Sequence, residues 1–185
     1  AGRSSSSLID YLLSNAKAHS WHITIADANK AAVESKIAQY KDVAAAVEFD
    51  VNNAQLREEL IKNSDFVVSM LPAFMHGDVA KDCVRLGKHI ATASYVSQDM
   101  KDLDAEAKQK NLILLNECGL DPGIDHASAM KVIHEIQDKG GKITSFKSFC
   151  GGLVAPESND NPWGYKFSWN PRNVILAGQG TAQFI

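Results

Sequence analysis

Short apolar runs alternate with segments of helical spacing through most of the chain, and this alternation leaves few folds open to it. Five runs rich in β-branched residues begin about every 22 residues. They cover residues 22–26, 45–49, 66–71, 89–93 and 112–115. Apolar residues between the runs recur at helical spacing, as Val79, Cys83 and Leu86 do. Buried strands that alternate with amphipathic helices predict an α/β fold with a doubly wound parallel sheet.

The pattern changes after residue 121. A helix is predicted over residues 125–139, followed by a longer and partly polar strand over residues 143–150. A strand of that kind suits a sheet with one solvent-facing side. We therefore predict a first domain over residues 1–121 and the beginning of a second, α+β domain over residues 122–185.

Composition and charge exclude several classes of protein. The 185 residues carry a formal net charge of −3 and contain no run of lysine and arginine, so nucleic acid is not an expected partner. No apolar segment approaches the roughly 20 residues that a membrane helix needs. With 45% hydrophobic residues the chain has enough material for a core. We expect a soluble, cytoplasmic protein that does not contact a membrane.

Cysteine and histidine patterns predict neither a disulfide framework nor a metal site. The three cysteines are odd in number and form no CxxC pair. His134 and Glu135 begin like the zinc motif HExxH, but Asp138 stands where the second histidine belongs.

The first residues have the features of a phosphate-binding turn. Gly2 comes directly before a helical segment, where a glycine lets the backbone approach a pyrophosphate at the helix start. Ser5 stands in place of the usual third glycine. The alternative is an ordinary capped helix N-terminus. Because such a turn follows a strand, we expect the sequence to begin inside its first domain and the sheet to be open at its centre.

Residues that directly follow the predicted strands extend this cofactor site. Asp27 closes the first run, where a dinucleotide fold uses an acid to bind the adenosine ribose. Its carboxylate repels a 2′-phosphate, which favours NAD over NADP; the alternative is a solvated turn residue. Four residues after the next two runs are predicted to lie against the cofactor: Asp50, Val51, Leu71 and Pro72.

Two later segments place polar side chains at the same edge of the sheet. Residues 92–97 leave the fourth run, and residues 117–126 leave the fifth with two glycines and a proline that force a tight turn. Asp121 and His126 suit a ligand with amino or carboxylate groups, whereas Asp125 is predicted to cap a helix. Ser97 and Gly87 are predicted to mark a helix start and a helix end.

Six separated motifs occur together in this chain. They are Leu71-Pro72, Thr92-Ala93-Ser94-Tyr95-Val96, Gly119-Leu120-Asp121-Pro122-Gly123-Ile124-Asp125-His126, Cys150-Gly151-Gly152-Leu153, Ala155-Pro156-Glu157 and Gly164-Tyr165-Lys166-Phe167-Ser168-Trp169. In this order and at this spacing they resemble the glutamate-forming saccharopine dehydrogenases. The resemblance implies a Rossmann domain joined to an α+β domain that carries substrate contacts and a dimer surface. It also implies an oxidoreductase of lysine metabolism, which oxidises L-saccharopine with a nicotinamide dinucleotide to glutamate and 2-aminoadipate 6-semialdehyde, reversibly.

The resemblance also implies roles for residues of the cofactor site. The residues that match the phosphate turn are Gly2, Arg3 and Ser4, and Asp27 matches the strand end that selects the cofactor. Family members that use NADP tend to carry a basic residue beside that position. Here Asn29 and Lys30 follow a few residues later, so NAD is expected, with NADP possible.

At the nicotinamide end, the resemblance implies substrate contacts from Ser94, Tyr95 and Asp121. Asp121 suits the amino group of the substrate by charge, and Tyr95 suits a carboxylate or a proton relay. His126 is a candidate general base, because its ordinary pKa lies near neutrality. The alternative for His126 is an outward-facing residue in the first turn of a helix.

Two other functions remain open. A carboxynorspermidine-type dehydrogenase of the same superfamily shares the nucleotide half but needs a more acidic pocket. A non-catalytic NAD-sensing module needs no substrate contacts. Arginines for the substrate carboxylates are expected beyond residue 185, so we expect residues 1–185 alone to be inactive and the full-length protein to be a homodimer.

Overall fold

The computed structural model describes residues 2, 5–149, 154–166, 171, 172 and 175. Helices and strands alternate along these residues. The order is α1 (Ser6–His19), β1 (Ile23–Asp27), α2 (Lys30–Lys36), β2 (Ala44–Glu48), α3 (Ala54–Lys62), β3 (Phe66–Ser69), α4 (His76–Leu86), β4 (His89–Thr92), α5 (Gln98–Asp102), α6 (Asp104–Gln109), β5 (Leu114–Leu115) and α7 (Ile124–Asp138). The five predicted strands are all present, and the last is shortened to two residues.

The strands form two parallel sheets. In the first sheet, β1 pairs with β2, with Ile25 opposite Ala46. In the second sheet the order is β3-β4-β5, with Val67 opposite Ile90. No ladder joins β1 to β3 among the described residues.

Each sheet has its own apolar core. Around the first sheet, α1 and α2 contribute Leu13 and Val33, which are almost fully buried. Around the second sheet, α4 packs Val79, Ala80 and Cys83 against the middle strand. Burial raises the pKa of the Cys83 thiol to about 12, with a smaller effect from the charge of Asp82. This cysteine is therefore a packing residue and not a nucleophile.

Helix ends follow the sequence signals. Ser97 accepts a hydrogen bond from the Met100 N–H at 3.4 Å and so caps α5. Gly87 follows α4 with φ of 71°, a left-handed conformation that favours glycine. Both predictions are confirmed. Asn29 and Asn53 cap α2 and α3 in the same way.

An ion-pair cluster joins α3 to α4. Arg57 Nε lies 2.6 Å from the Asp82 carboxylate, and the same guanidinium donates to the Val51 carbonyl. Arg85 adds a second bond to Asp82 and one to Glu58, each at 2.9 Å. The Arg57 and Asp82 side chains are only 13% and 14% exposed, so this pair is well shielded from water.

One face of the second sheet is exposed. Val68, Ala91 and Leu115 stand in one row across the three strands, and Val68 and Leu115 are exposed. Phe66 and Ile113 are exposed as well. Alternate residues such as Ile90 point to the other face and are buried. Parallel sheets are normally covered on both faces, so this apolar face is unusual.

The chain divides into two compact units, residues 1–135 and 136–185. The predicted domain boundary after residue 121 stays a prediction. In the second unit a short 3-10 helix covers Pro156–Ser158, and Lys166 pairs with Asp160 at 2.8 Å. The strand predicted over residues 143–150 is wrong for residues 143–149, which form no strand ladder with the described residues. Position 150 lies outside them.

Two further observations concern the described residues only. They contain no helix long and apolar enough to cross a bilayer. Nor do they bring three metal-ligating side chains together at one point.

Candidate active site at the carboxyl ends of the strands

The carboxyl ends of β3, β4 and β5 meet at one edge of the second sheet, because the three strands run parallel. Ser69 ends β3 and Thr92 ends β4. The loops that follow β4 and β5 carry the residues predicted to contact substrate. This edge is therefore the candidate active site.

Backbone hydrogen bonds hold the two loops together. The Glu117 N–H donates to the Ser94 carbonyl at 3.0 Å, and the Cys118 N–H donates to the Thr92 carbonyl at 3.2 Å. The Glu117 carboxylate also accepts the Val96 N–H at 3.3 Å. Glu117 has φ of 62°, which a residue with a side chain rarely adopts. Its two hydrogen bonds to Ser94 and Val96 of the β4 loop keep it in that conformation.

A tight turn follows, in which glycines are required. The Gly119 N–H donates to the Pro122 carbonyl, and the Ile124 N–H donates back to the Gly119 carbonyl, both at 2.9 Å. Gly123 has φ of 148°, and a Cβ there would collide with the Gly119 backbone. The turn includes a cis peptide bond between Asp121 and Pro122. The predicted tight turn is confirmed, and it fixes the position of Asp121 beside the β4 loop.

Tyr95 and Asp121 meet across the two loops. The Tyr95 hydroxyl donates to Asp121 Oδ1 at 3.1 Å. Desolvation raises the pKa of Tyr95, and the hydrogen bond and the nearby carboxylates of Asp121, Asp125 and Glu117 raise it further. The phenol therefore keeps its proton at neutral pH. Both side chains are exposed, so a ligand can reach them.

Asp125 and His126 stand at the start of α7. Asp125 lies inside the helix, and its carboxylate accepts the Gly123 N–H at 2.8 Å and contacts His126 Nδ1 at 2.7 Å. The predicted helix cap is therefore wrong, because the preceding turn uses this carboxylate. Desolvation opposes ionisation of Asp125, but the bonds from Gly123 and His126 outweigh it and lower the pKa. The His126 side chain is 64% exposed, and its role as general base stays a prediction.

A buried histidine lies beneath the β4 loop. His76 is the first residue of α4 and is only 3% exposed. Its Nδ1 lies 2.8 Å from the Ser69 hydroxyl. Its Nε2 lies 2.8 Å from the Ser94 hydroxyl and 2.9 Å from the Thr92 hydroxyl. Burial lowers the pKa of His76, which favours the neutral ring.

The N-terminus of α1 has no side-chain cap from Ser5, and its binding of a phosphate stays a prediction. Ser5 precedes the helix, but its hydroxyl donates to the Gly2 carbonyl at 2.9 Å and does not cap the helix N–H groups. A Cβ on Gly2 would meet no atom of the described residues within 4 Å. Free N–H groups at a helix start are a usual place for a phosphate. Arg3 and Ser4 lie outside the described residues.

Asp27 ends β1, as predicted for the residue at the ribose position. Its Oδ1 accepts the Asn29 N–H at 2.8 Å, and Asn29 in turn caps α2. Lys30 lies 3.7 Å from Glu34, one helical turn further along. A carboxylate and an amine thus stand within four residues of the strand end.

The other four predicted cofactor residues differ in how much of them a ligand can reach. Asp50 and Pro72 are exposed. Val51 and Leu71 pack partly against the core of the second sheet. The Asp50 carboxylate accepts the Asn52 N–H at 2.9 Å, so it already holds the turn before α3. Contact of these residues with a cofactor stays a prediction.

Two family models match consecutive parts of the chain. Residues 1–115 match the saccharopine dehydrogenase NADP binding domain, and residues 119–185 match the saccharopine dehydrogenase C-terminal domain. The chain belongs to the saccharopine dehydrogenase family. This confirms the predicted family, a Rossmann nucleotide-binding domain followed by a second domain, and the nicotinamide dinucleotide class of cofactor.

Two individual proteins illustrate what the chain is similar to. The Pyricularia oryzae saccharopine dehydrogenase (NADP+, L-glutamate-forming) is 48% identical over 138 residues, which are 75% of this chain and 31% of that protein. The bovine mitochondrial alpha-aminoadipic semialdehyde synthase is 35% identical over 176 residues, or 95% of this chain and 19% of that protein. The chain thus spans a third or less of these relatives.

A solved saccharopine dehydrogenase has the same fold. The apo histidine-tagged enzyme (L-Glu forming) from Saccharomyces cerevisiae superposes with a TM-score of 0.80 at 37% sequence identity. The match covers 95% of this chain and 38% of that one. The α/β fold with parallel sheets predicted from the apolar runs is therefore confirmed.

Three residues of the candidate site are not predicted from the sequence: His76, Ser69 and Glu117. His76 is one of six histidines and stands in no metal motif. A weak signal exists in Ser69 and Thr92, which are hydroxyl residues within mostly apolar runs. Glu117 carries no signal, because its role depends on an unusual backbone conformation.

Proposed function

We propose that the whole protein interconverts L-saccharopine with L-glutamate and 2-aminoadipate 6-semialdehyde, using NADP. The observation that carries the proposal is the match of both parts of the chain to saccharopine dehydrogenase domains. NADP is proposed because the Pyricularia oryzae relative is named for it and residues 1–115 match an NADP binding domain. The preference for NAD expected from the Asp27 carboxylate stays a prediction. The Tyr95–Asp121 pair supports a catalytic function over a sensing one, because a sensor needs no exposed polar pair at this edge.

The residues of the chain suit the substrate. Saccharopine carries a secondary amine that is cationic at neutral pH, and the Asp121 carboxylate attracts such a group. Tyr95 keeps its proton and can donate it to a substrate carboxylate or share it with Asp121. After the amine has lost a proton to solvent, hydride loss from the carbon beside the nitrogen gives a protonated imine, which water splits into the two products.

The start of α1 and the end of β1 support a position for the cofactor. Gly2 and the open helix start would hold the pyrophosphate, and Asp27 would lie at the adenosine ribose. When bound, NADP accepts the hydride from the substrate.

The experiment uses the full-length protein with L-saccharopine and NADP+, followed by the absorbance of reduced nicotinamide. We expect reduction with saccharopine and none with carboxynorspermidine. Reduction with carboxynorspermidine alone would replace the proposed substrate. Binding of NADP+ without its reduction by either substrate would favour a sensing module.

We also propose that the full-length protein is a cytoplasmic homodimer that binds neither nucleic acid nor membranes. Exposed apolar side chains on α7, such as Met130 and Val132, support self-association. The net charge of −3 disfavours nucleic acid. Light scattering of the full-length protein tests the homodimer, and cell fractionation tests the cytoplasmic location. A monomeric mass, or recovery in an organelle, would contradict them.

A further inference from the structure

Four side chains form one hydrogen-bonded cluster beneath the β4 loop: Ser69, His76, Thr92 and Ser94. They come from the ends of β3 and β4, from the start of α4 and from the loop itself. Three of them are at most 4% exposed, and Ser94 alone is partly open to solvent. The cluster therefore connects the protein interior to one residue of the candidate site.

The imidazole ring has a partner for each of its nitrogens. The Ser69 hydroxyl contacts Nδ1, and the Thr92 and Ser94 hydroxyls both contact Nε2. A neutral imidazole has one donor and one acceptor nitrogen, and a hydroxyl can serve as either. The ring is thus held on both sides and cannot turn without losing hydrogen bonds in a buried place.

Ser94 is held at three points. Its N–H donates to the Thr92 hydroxyl at 3.2 Å, and its carbonyl accepts the Glu117 N–H at 3.0 Å. Its own hydroxyl lies 2.8 Å from His76 Nε2. A serine hydroxyl without such a partner samples three rotamers. The contact with His76 selects one of them, and the oxygen keeps capacity for a further hydrogen bond to a ligand.

We infer that His76 is a positioning residue, which fixes the Ser94 hydroxyl in the orientation that contacts the substrate. The inference rests on the proposed function, since Ser94 is a substrate contact only in a saccharopine dehydrogenase of this kind. His76 itself does not touch the substrate, because it lies beneath the loop. Misplacement of a contact by about 1 Å can cost a hundredfold in rate.

Two substitutions of His76 distinguish the hydrogen bond at Nε2 from the hydrogen bond at Nδ1. The amide of His76→Gln reaches the place of Nε2 and can keep the bond to Ser94. The amide of His76→Asn reaches only the Nδ1 side and keeps the bond to Ser69. In the full-length protein we expect His76→Asn to lower kcat at least about tenfold, with the NADP KM within about twofold. We expect His76→Gln to retain most of the rate.

A double substitution tests whether His76 acts through Ser94. In the Ser94→Ala background, His76→Asn should change kcat by less than about threefold, because the group it positions is gone. The control is His89→Asn, which replaces a histidine at the opposite end of the same sheet. It should leave kcat unchanged. The inference would be overturned if His76→Asn lowered kcat equally in the wild-type and Ser94→Ala backgrounds, or if His76→Gln lowered kcat as much as His76→Asn.

Nitrogen NMR of labelled histidine gives a readout that does not depend on turnover. Ser94→Ala should shift the Nε2 resonance of His76, and Ser69→Ala should shift the Nδ1 resonance. An Nε2 chemical shift that is unchanged in Ser94→Ala would overturn the inference, whatever the activity of that variant. If both His76 resonances shift as expected but the full-length protein does not turn over saccharopine, the proposed function is overturned instead.

Discussion

At the scale of single residues, the candidate site consists of groups that are exposed and groups that hold them. Tyr95 and Asp121 face solvent and contact each other. His76 and Glu117 form hydrogen bonds with the loop that carries Tyr95. This difference explains why Tyr95 and Asp121 are predicted from the sequence and His76 and Glu117 are not. An exposed polar residue in a motif is visible in the sequence, whereas a supporting residue acts through partners far away along the chain.

Tyr95→Phe and Asp121→Asn should each depress turnover while NADP binding changes little. The phenylalanine removes a proton donor, and the asparagine removes the charge that attracts the substrate amine. We expect kcat to fall about 10- to 100-fold. Because the pKa of Tyr95 is raised, its loss of a proton should affect the wild-type rate only above pH about 10. Steady-state kinetics of the full-length protein measures both effects, with Tyr11→Phe on α1 as the control. Near-normal rates would remove both residues from the site.

Asp27→Ala tests the cofactor position. Removing the carboxylate takes away a ribose hydrogen-bond acceptor and the charge that repels a 2′-phosphate. NAD should bind more weakly, and the ratio of NADP to NAD affinity should rise about tenfold, which is about 1.4 kcal/mol. Fluorescence titration of the full-length protein with each reduced cofactor gives the ratio. The matched control is Asp42→Ala, an exposed acid before β2. Unchanged affinities for both cofactors would place Asp27 outside the cofactor site.

At the scale of helices and strands, periodicity was sufficient to find the elements but not their ends. The five runs became five strands because each has apolar side chains to bury against the helices on at least one face of its sheet. The last run kept only Leu114–Leu115 as strand. The Leu112 N–H donates to the Ala107 carbonyl of α6, and the Ile113 N–H donates to the His89 ring instead of to a neighbouring strand. The strand predicted over residues 143–150 is wrong for residues 143–149. A strand forms only beside a neighbour to which it hydrogen-bonds, and the sequence of one segment does not show whether such a neighbour exists.

Asp82→Ala should destabilise the packing of α3 against α4. Partial burial alone raises the pKa of the Asp82 carboxyl, but hydrogen bonds from Arg57 and Arg85 outweigh it and hold the pKa below its ordinary value. Removing the carboxylate leaves the shielded Arg57 unpaired, so the free energy of unfolding should fall by about 2–3 kcal/mol. Denaturant titration measures the loss. Asp78→Asn, on the exposed side of the same helix, should have little effect.

The same pair predicts a pH dependence of stability. The folded pKa of Asp82 is lower than the unfolded value, which is about 3.9. Its stabilisation is therefore complete above that unfolded value and is lost as the pH falls through the folded value. The difference in unfolding free energy between wild type and Asp82→Ala should shrink over this acid range. A constant difference down to pH about 2 would contradict the ion-pair explanation.

At the scale of the whole molecule, the second sheet shows an apolar face across three strands. Val68 and Leu115 are 43% and 50% exposed, in a fold whose parallel strands are normally covered on both sides. A contiguous apolar face of this kind binds hydrophobic dyes and promotes association. The polypeptide of residues 1–185 should therefore increase the fluorescence of an environment-sensitive dye. Val68→Thr with Leu115→Thr should reduce that signal about twofold, because threonine keeps the strand preference and adds a hydroxyl. Tyr11→Ser removes one isolated exposed ring from α1 and should leave the signal unchanged. Equal signals from the double variant and wild type would show that the dye binds elsewhere and that this face is covered in solution.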